Sequence, residues 1–255
     1  MLIEIATLSV LTFMASYLNT AFAVGGGFII LAALSYYYPV SVVIQLMPVF
    51  LIPSLCSRIY LFRQYIDWRI VKGFVIGAVA GVLLGGQLLV SMNEGLVMLF
   101  MGGLILTLLW FPSVPVPGFL AYSPTSHTQI HLAKPFILIG FAHAFLSTLF
   151  AVGSIMQSVV LRVGLKKAQI TGTLAACLIT MTSGKMLTYM WHGFDYRLFA
   201  YHIVCCATAS VIGSWYGKRA GKLVSETLFR KVFKWVVSAF GITLLVRGGA
   251  HLMGI

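Results

Sequence analysis

The chain repeats itself at an offset of 128 residues, and no other feature limits its fold as strongly. Phe22-Ala23-Val24-Gly25 returns as Phe150-Ala151-Val152-Gly153, and 150 − 22 is 128. In the same register Asp67-Trp68-Arg69 returns as Asp195-Tyr196-Arg197, and Gly85 as Gly213. Three matches in one gapless register describe two copies of one unit. A duplicated and almost wholly apolar unit points toward the transporter architectures built from repeats.

Composition sets the solvent. With 60% hydrophobic and 9% charged residues over 255 positions, the chain lacks the roughly 25% charged residues of a soluble domain. It reads as a polytopic helical protein of the lipid bilayer. The N-terminus has no basic start, so Met1 to Leu18 reads as a retained membrane segment and not a cleaved signal peptide. A net charge of +12 would suggest nucleic acid in a soluble protein. Here it orients the chain, because Lys and Arg collect in cytoplasmic loops. Cys56, Cys177, Cys205 and Cys206 stand in apolar stretches without metal-ligand spacing, and His127 and His131 have no further ligands nearby. No metal, cofactor or nucleic-acid partner is expected.

Eight apolar blocks follow one another at 2–37, 40–62, 70–90, 96–111, 135–163, 168–190, 198–217 and 228–246. The first repeat covers 1–111 and the second 135–255. Between them runs a cytoplasmic linker, 112–134, that carries Pro112, Pro115, Pro117 and Pro124. Block one would be roughly 54 Å long as a single helix, against a hydrocarbon core of roughly 30 Å. Gly25-Gly26-Gly27 interrupts it, and Gly153-Ser154 interrupts block five at the equivalent place. Each block therefore either crosses once with a break or dips in and returns as a re-entrant hairpin.

Loop charge separates these arrangements. If all eight blocks cross, the 17 basic residues divide nine against eight. If blocks one and five are hairpins, Lys185, Arg197 and Arg247 fall outside and the other fourteen inside. The second division obeys the positive-inside rule. The expected fold is an all-α polytopic membrane protein of two inverted repeats, each a broken helix or re-entrant hairpin followed by three transmembrane helices. Both termini lie outside.

Irregular backbone at membrane depth survives only when buried in protein or lining a wet cavity. The breaks at Gly25, Gly26 and Gly27 and at Gly153 and Ser154 are thus the first site candidates. Each opens a half-helix whose free N–H groups and positive dipole end suit an anion. The alternative is that these glycines only permit close helix packing. Asn19 and Ser147 are equivalent across the repeat, as are Gln45 and Thr173. With Thr171, Gln157 and Lys185 they are candidate donors to an oxyanion. His143 is a candidate for proton coupling, since a histidine changes charge near neutral pH. Any of these side chains also serves as a hydrogen bond between helices, worth roughly 1 kcal/mol. No nucleophile–base pair, phosphate loop or pair of catalytic carboxylates is present, so the chain does not read as an enzyme.

Ala23-Val24-Gly25-Gly26-Gly27-Phe28 resembles the opening motif of the sulfite exporter TauE/SafE family of membrane permeases. Tyr60 to Arg69, followed by Gly77, Gly81 and Gly85, is similar to that family as well. So are Ala168 to Thr173 and Gly213 to Arg219 in the second copy. The resemblance covers nearly the whole chain outside the linker. It departs at Ala32, where the family often has proline, and at the second break, where Gly153-Ser154 replaces a fuller glycine cluster. It implies a multi-pass protein of the inner membrane that moves sulfite, sulfonates or related small anions, usually outward. The reading is a secondary transporter whose partners are a small anion and the lipid bilayer. A passive anion channel and a non-transporting membrane scaffold are the alternatives.

Overall fold

The computed structural model describes residues 2–22, 26–91, 93–110, 133–150, 167–220 and 226–253. Their order is α1 (Leu2–Phe22), α2 (Gly26–Tyr37), α3 (Val40–Phe62), α4 (Trp68–Ser91), α5 (Glu94–Trp110), α6 (Ala133–Phe150), α7 (Lys167–Trp191), α8 (Ala200–Ala220) and α9 (Glu226–Met253). Short 3₁₀ turns at Arg63–Tyr65 and Tyr196–Phe199 precede α4 and α8. Five spans among the described residues are long and apolar enough to cross a bilayer. Helix is what lipid demands, because only intrahelical bonds satisfy backbone groups in hydrocarbon. The chain is an all-α polytopic membrane protein. Most of the proline-rich linker lies outside the described residues, and its last two positions open α6.

Block one turns back on itself. At the start of α2, the Gly26 N–H donates to Asn19 Oδ1 at 3.1 Å. Beyond its end, the Tyr38 hydroxyl donates to the Glu4 carboxylate. The end of α2 therefore meets the beginning of α1, which makes the pair an antiparallel hairpin. Twelve residues give α2 a length of roughly 18 Å, too short to cross. A Cβ on Gly26 would collide with the Ala15 carbonyl, so the hairpin closes only over glycine here.

The two copies then exchange partners. Helix α4 packs along α6, where a Cβ added to Gly81 would lie 2.9 Å from the Phe145 nitrogen, and one on Gly85 3.0 Å from the Thr148 Cβ. Helix α8 packs along α1 in the same way: Gly213 meets the Phe13 carbonyl, and Gly217 lies 3.0 Å from the Thr20 Cβ. Phe13 and Phe141 are 128 apart, as are Thr20 and Thr148, but Gly81 and Gly213 are 132 apart. The contact equivalent of Gly213 is therefore Gly81 and not Gly85. The cause is local. Asp67 leads directly into α4 at Trp68, whereas the four-residue 3₁₀ turn Tyr196–Phe199 stands between Asp195 and α8.

Helices α3 and α7 correspond between the copies and run antiparallel. Gly172, early in α7, meets Phe62 at the end of α3. At the other end of α3, the Tyr196 hydroxyl donates to the Gln45 carbonyl at 2.8 Å. The pair α5 and α9 is antiparallel too, since Gly102 meets Gly241 while Gly95 meets Gly248. Core packing divides between a cluster around α1, α2 and α3, including Leu31, Leu34 and Phe50, and one around α4, α6 and α7, including Phe74, Ala144 and Leu174.

Candidate functional site

Where the α1–α2 hairpin meets α3, α6 and α7, the bundle leaves a cavity of about 70 Å³. Its walls are mostly apolar, from Ile44, Met47 and Leu51 of α3 and Leu178 and Met181 of α7. Asn19, Arg58, Ser147, Thr182 and Lys185 add the polar groups, and Gly27 brings backbone to the surface. Arg58 is 2% exposed and Lys185 6%. No acidic residue lines the cavity among the described residues.

Buried cations without a carboxylate are costly, since each loses its hydration without gaining a counter-ion. Lys185 is partly compensated. Its ammonium donates to Ser147 Oγ at 2.7 Å and to the Ser147 carbonyl. Next to it the Tyr189 hydroxyl donates to the Thr148 carbonyl at 3.0 Å. These two carbonyls belong to the last turn of α6, where the helix supplies no partner of its own. Arg58 is compensated less, because its Nε has no hydrogen-bond partner among the described residues. The cavity thus combines two basic side chains, one amide and two hydroxyls with a mostly apolar wall.

The cavity gathers four of the residues expected from the sequence: Asn19, Gly27, Ser147 and Lys185. Gly26 stands at its edge with its N–H already taken by Asn19. Gly25, Gly153, Ser154 and Gln157 lie outside the described residues. Gln45 does not line the cavity; its amide donates to the Ser41 carbonyl of its own helix at 3.1 Å. Thr171 and Thr173 are buried at the start of α7. There Thr173 Oγ1 accepts the Asp67 N–H at 2.9 Å, which anchors the entry to α4. His143 is buried against Phe74, with ring centroids 5.7 Å apart; it is not among the cavity-lining residues, though it stands one turn before Ser147 on α6. Lys185 does not face the outer loops where charge counting put it.

Arg58 and Thr182 are additions. Arg58 counts as a loop residue when read with Arg63, yet it stands a full turn inside α3. One signal did mark it: 58 + 128 is 186, next to Lys185. Each copy thus carries one basic residue near the end of its first full crossing. Thr182 is the repeat equivalent of Ser54, since 182 − 54 is 128.

Comparison with protein-family models matches the chain to the sulfite exporter TauE/SafE model over residues 8–244. The chain belongs to the TauE/SafE family. The matched span runs from α1 to α9 and takes in every residue of the cavity. No curated protein and no solved structure matches the chain. TauE/SafE proteins are membrane transporters and not enzymes, and this one has the apolar helices of a multi-pass membrane protein. The family's description gives its cargo class as sulfite, a small oxyanion that suits two buried cations.

Proposed function

We propose that this TauE/SafE chain is a secondary transporter that exports a small sulfur oxyanion, sulfite or an organosulfonate, across the inner membrane. One observation carries the reading: Arg58 and Lys185 are buried in a single cavity that has no acidic lining residue among those described. A water needs roughly 10–15 Å³ of such space, so about 70 Å³ takes a species of a few non-hydrogen atoms.

The antiparallel pairs α3/α7 and α5/α9 support an inverted repeat in the bilayer. So does the clustering of Arg63, Arg69, Lys72, Lys218 and Arg219 at one end of the bundle, where Lys218 donates to the Leu61 carbonyl at 2.9 Å. That end is cytoplasmic by the positive-inside rule, and α6 begins on the same side because it runs parallel to α4. Alternating access then consists of the α1–α2 hairpin and α6, each with its exchanged partner, rocking about the cavity. An interior-negative potential drives anions out, by about 2.3 kcal/mol per charge per 100 mV.

The test is efflux from proteoliposomes preloaded with sulfite, with sulfate and taurine as parallel cargoes. Saturable sulfite release with counterflow supports the transporter. Release that never saturates and shows no counterflow supports the channel instead. Absence of flux for every cargo from folded, inserted protein leaves the scaffold reading.

A further inference from the structure

The chain has five acidic residues, all at helix entries, with Glu4 in the first turn of α1. Asp67 and Asp195 hold equivalent turns, each Oδ1 accepting the N–H two residues on. Glu94 and Glu226 are the first residues of α5 and α9. Glu4 differs from them. Its carboxylate, 23% exposed, faces two other elements: Tyr38, just after α2, donates to it, and His202 Nε2 of α8 lies 3.3 Å away. The Tyr38 ring is edge-on to Phe199 at 5.5 Å and to His202 at 6.4 Å, which closes an aromatic collar around the carboxylate. Cys206 is the next titratable group inward, with Ser9 Oγ 3.8 Å from its sulfur, and Cys205 is exposed. Among the described residues no lysine or arginine pairs with Glu4. Burial and the neighbouring carboxylate push the Tyr38 hydroxyl well above its ordinary range, so it stays a donor.

This cluster is tied to the cavity through one rigid element. Tyr38 stands at one end of the α2 segment, and Gly26 and Gly27 stand at the other, against Asn19 and the cavity. A polar seam runs beside it. His202, Cys206, Ser210 and Ser214 recur every four residues on one face of α8. Ser210 bonds Ser16 at 2.7 Å, and Ser214 bonds Ser54 of α3 at 3.4 Å, one turn from Arg58. Successive members are about 6 Å apart along the helix, so the seam by itself does not pass a proton.

We propose that Glu4 binds the coupling proton of this transporter, and that the hydrogen bond it accepts from Tyr38 is the latch through which protonation releases the α1–α2 hairpin around the anion cavity. Deprotonated, the carboxylate holds the Tyr38 hydroxyl and pins the outer end of α2. Protonated, it loses its charge, the hold on Tyr38 weakens, and α2 is free to shift its inner end at Asn19 and Gly27. The inference rests on the transporter reading and adds the coupling ion and its site.

The test uses the full-length protein in proteoliposomes with sulfite, at equal pH and under an imposed pH gradient. Wild-type flux is expected to change severalfold when the gradient is imposed or reversed, and Glu4→Gln is expected to lose that response. Sulfite itself takes up protons near neutral pH, so the difference between wild type and Glu4→Gln carries the conclusion. Tyr38→Phe keeps the carboxylate and removes the latch bond, so it is expected to weaken the gradient response severalfold, which keeps the proposal open to refutation if Glu4→Gln does not fold. A wild-type flux indifferent to the gradient overturns the proton site and leaves the transporter reading standing. So does a Glu4→Gln response equal to that of wild type, or an unchanged response in Tyr38→Phe. No saturable sulfite flux from wild type overturns both.

Discussion

Lys185 on α7 is joined twice to Ser147 on α6, its ammonium donating to the hydroxyl at 2.7 Å and to the carbonyl of the same residue. The bond places a cation against the last turn of α6, where carbonyls lack helical partners and the helix end carries partial negative charge. It also leaves that cation at the wall of the cavity. Lys185 is therefore a helix-end ligand and, in the proposed function, half of the anion site, and the two roles separate by substitution. Hydrogen bonds to charged groups contribute about 1.5–3 kcal/mol. Lys185→Met is expected to lower saturable sulfite efflux by about tenfold or more, and Lys185→Arg to recover part of it. Efflux from Lys185→Met equal to that of wild type, measured on folded protein, would confine the residue to the helix end.

Asn19 offers a test of sign. Its Oδ1 accepts the Gly26 N–H at 3.1 Å and its side chain borders the cavity. Asn19→Ala removes a cap-like acceptor worth about 0.5–2 kcal/mol, and a several-fold rise in the KM for sulfite is expected. Asn19→Asp keeps the acceptor but puts a negative charge beside Arg58 and Lys185. If the cavity holds an anion, Asn19→Asp transports less than Asn19→Ala. The reverse order, read from initial rates of sulfite efflux, would remove Asn19 from the anion's surroundings.

The legible part of this fold is what depends on solvent and on repetition. The block read as 40–62 is α3 from Val40 to Phe62, since hydropathy and the tyrosine–proline junction bound it on physical grounds. Glycines alone permit either a crossing or a doubling-back of block one, and only loop charge favours the second; the contact that shows it, Tyr38 to Glu4, joins residues 34 apart. Orientation within helices was not legible. Gln45 and Thr173 are repeat equivalents, yet one bonds its own helix and the other anchors the α4 entry. An offset identifies equivalent positions and says nothing about which face meets a cavity. Arg58 was hidden because a charge near a helix end reads equally well as a loop residue that snorkels.

Glycine positions that look alike in sequence should differ in the sign of their effect. A Cβ on Gly213 would run into the Phe13 carbonyl, whereas one on Gly103 meets nothing within 4 Å. Gly213→Ala must push α8 away from α1, at a cost of about 1–3 kcal/mol. Gly103→Ala only restricts the backbone of α5 and is expected to stabilise by up to about 1 kcal/mol. Thermal unfolding in detergent should show a lower Tm for the first variant and an equal or higher one for the second. Equal shifts in the same direction would mean that the α1–α8 contact is not as close as described.

The sidedness of the bundle follows from where its turns fall. Gln64, in the 3₁₀ turn after α3, is exposed at the end that carries Arg63, Arg69, Lys218 and Arg219. His192, just after α7, is exposed beside the end where Tyr196 meets Gln45. These positions lie at opposite ends because α3 and α7 run antiparallel. With the basic end in the cytoplasm, a cysteine at His192 is expected to react with a membrane-impermeant maleimide on intact cells. A cysteine at Gln64 is expected to react only after permeabilisation. The exposed native Cys56 and Cys205 are first replaced by serine so that the signal belongs to the added thiol. The opposite pattern would invert the assignment of sides and turn the proposed exporter's potential-driven direction around. Labelling of both from one side would contradict the antiparallel pairing of α3 and α7, and with it the inverted repeat on which alternating access about the Arg58–Lys185 cavity depends.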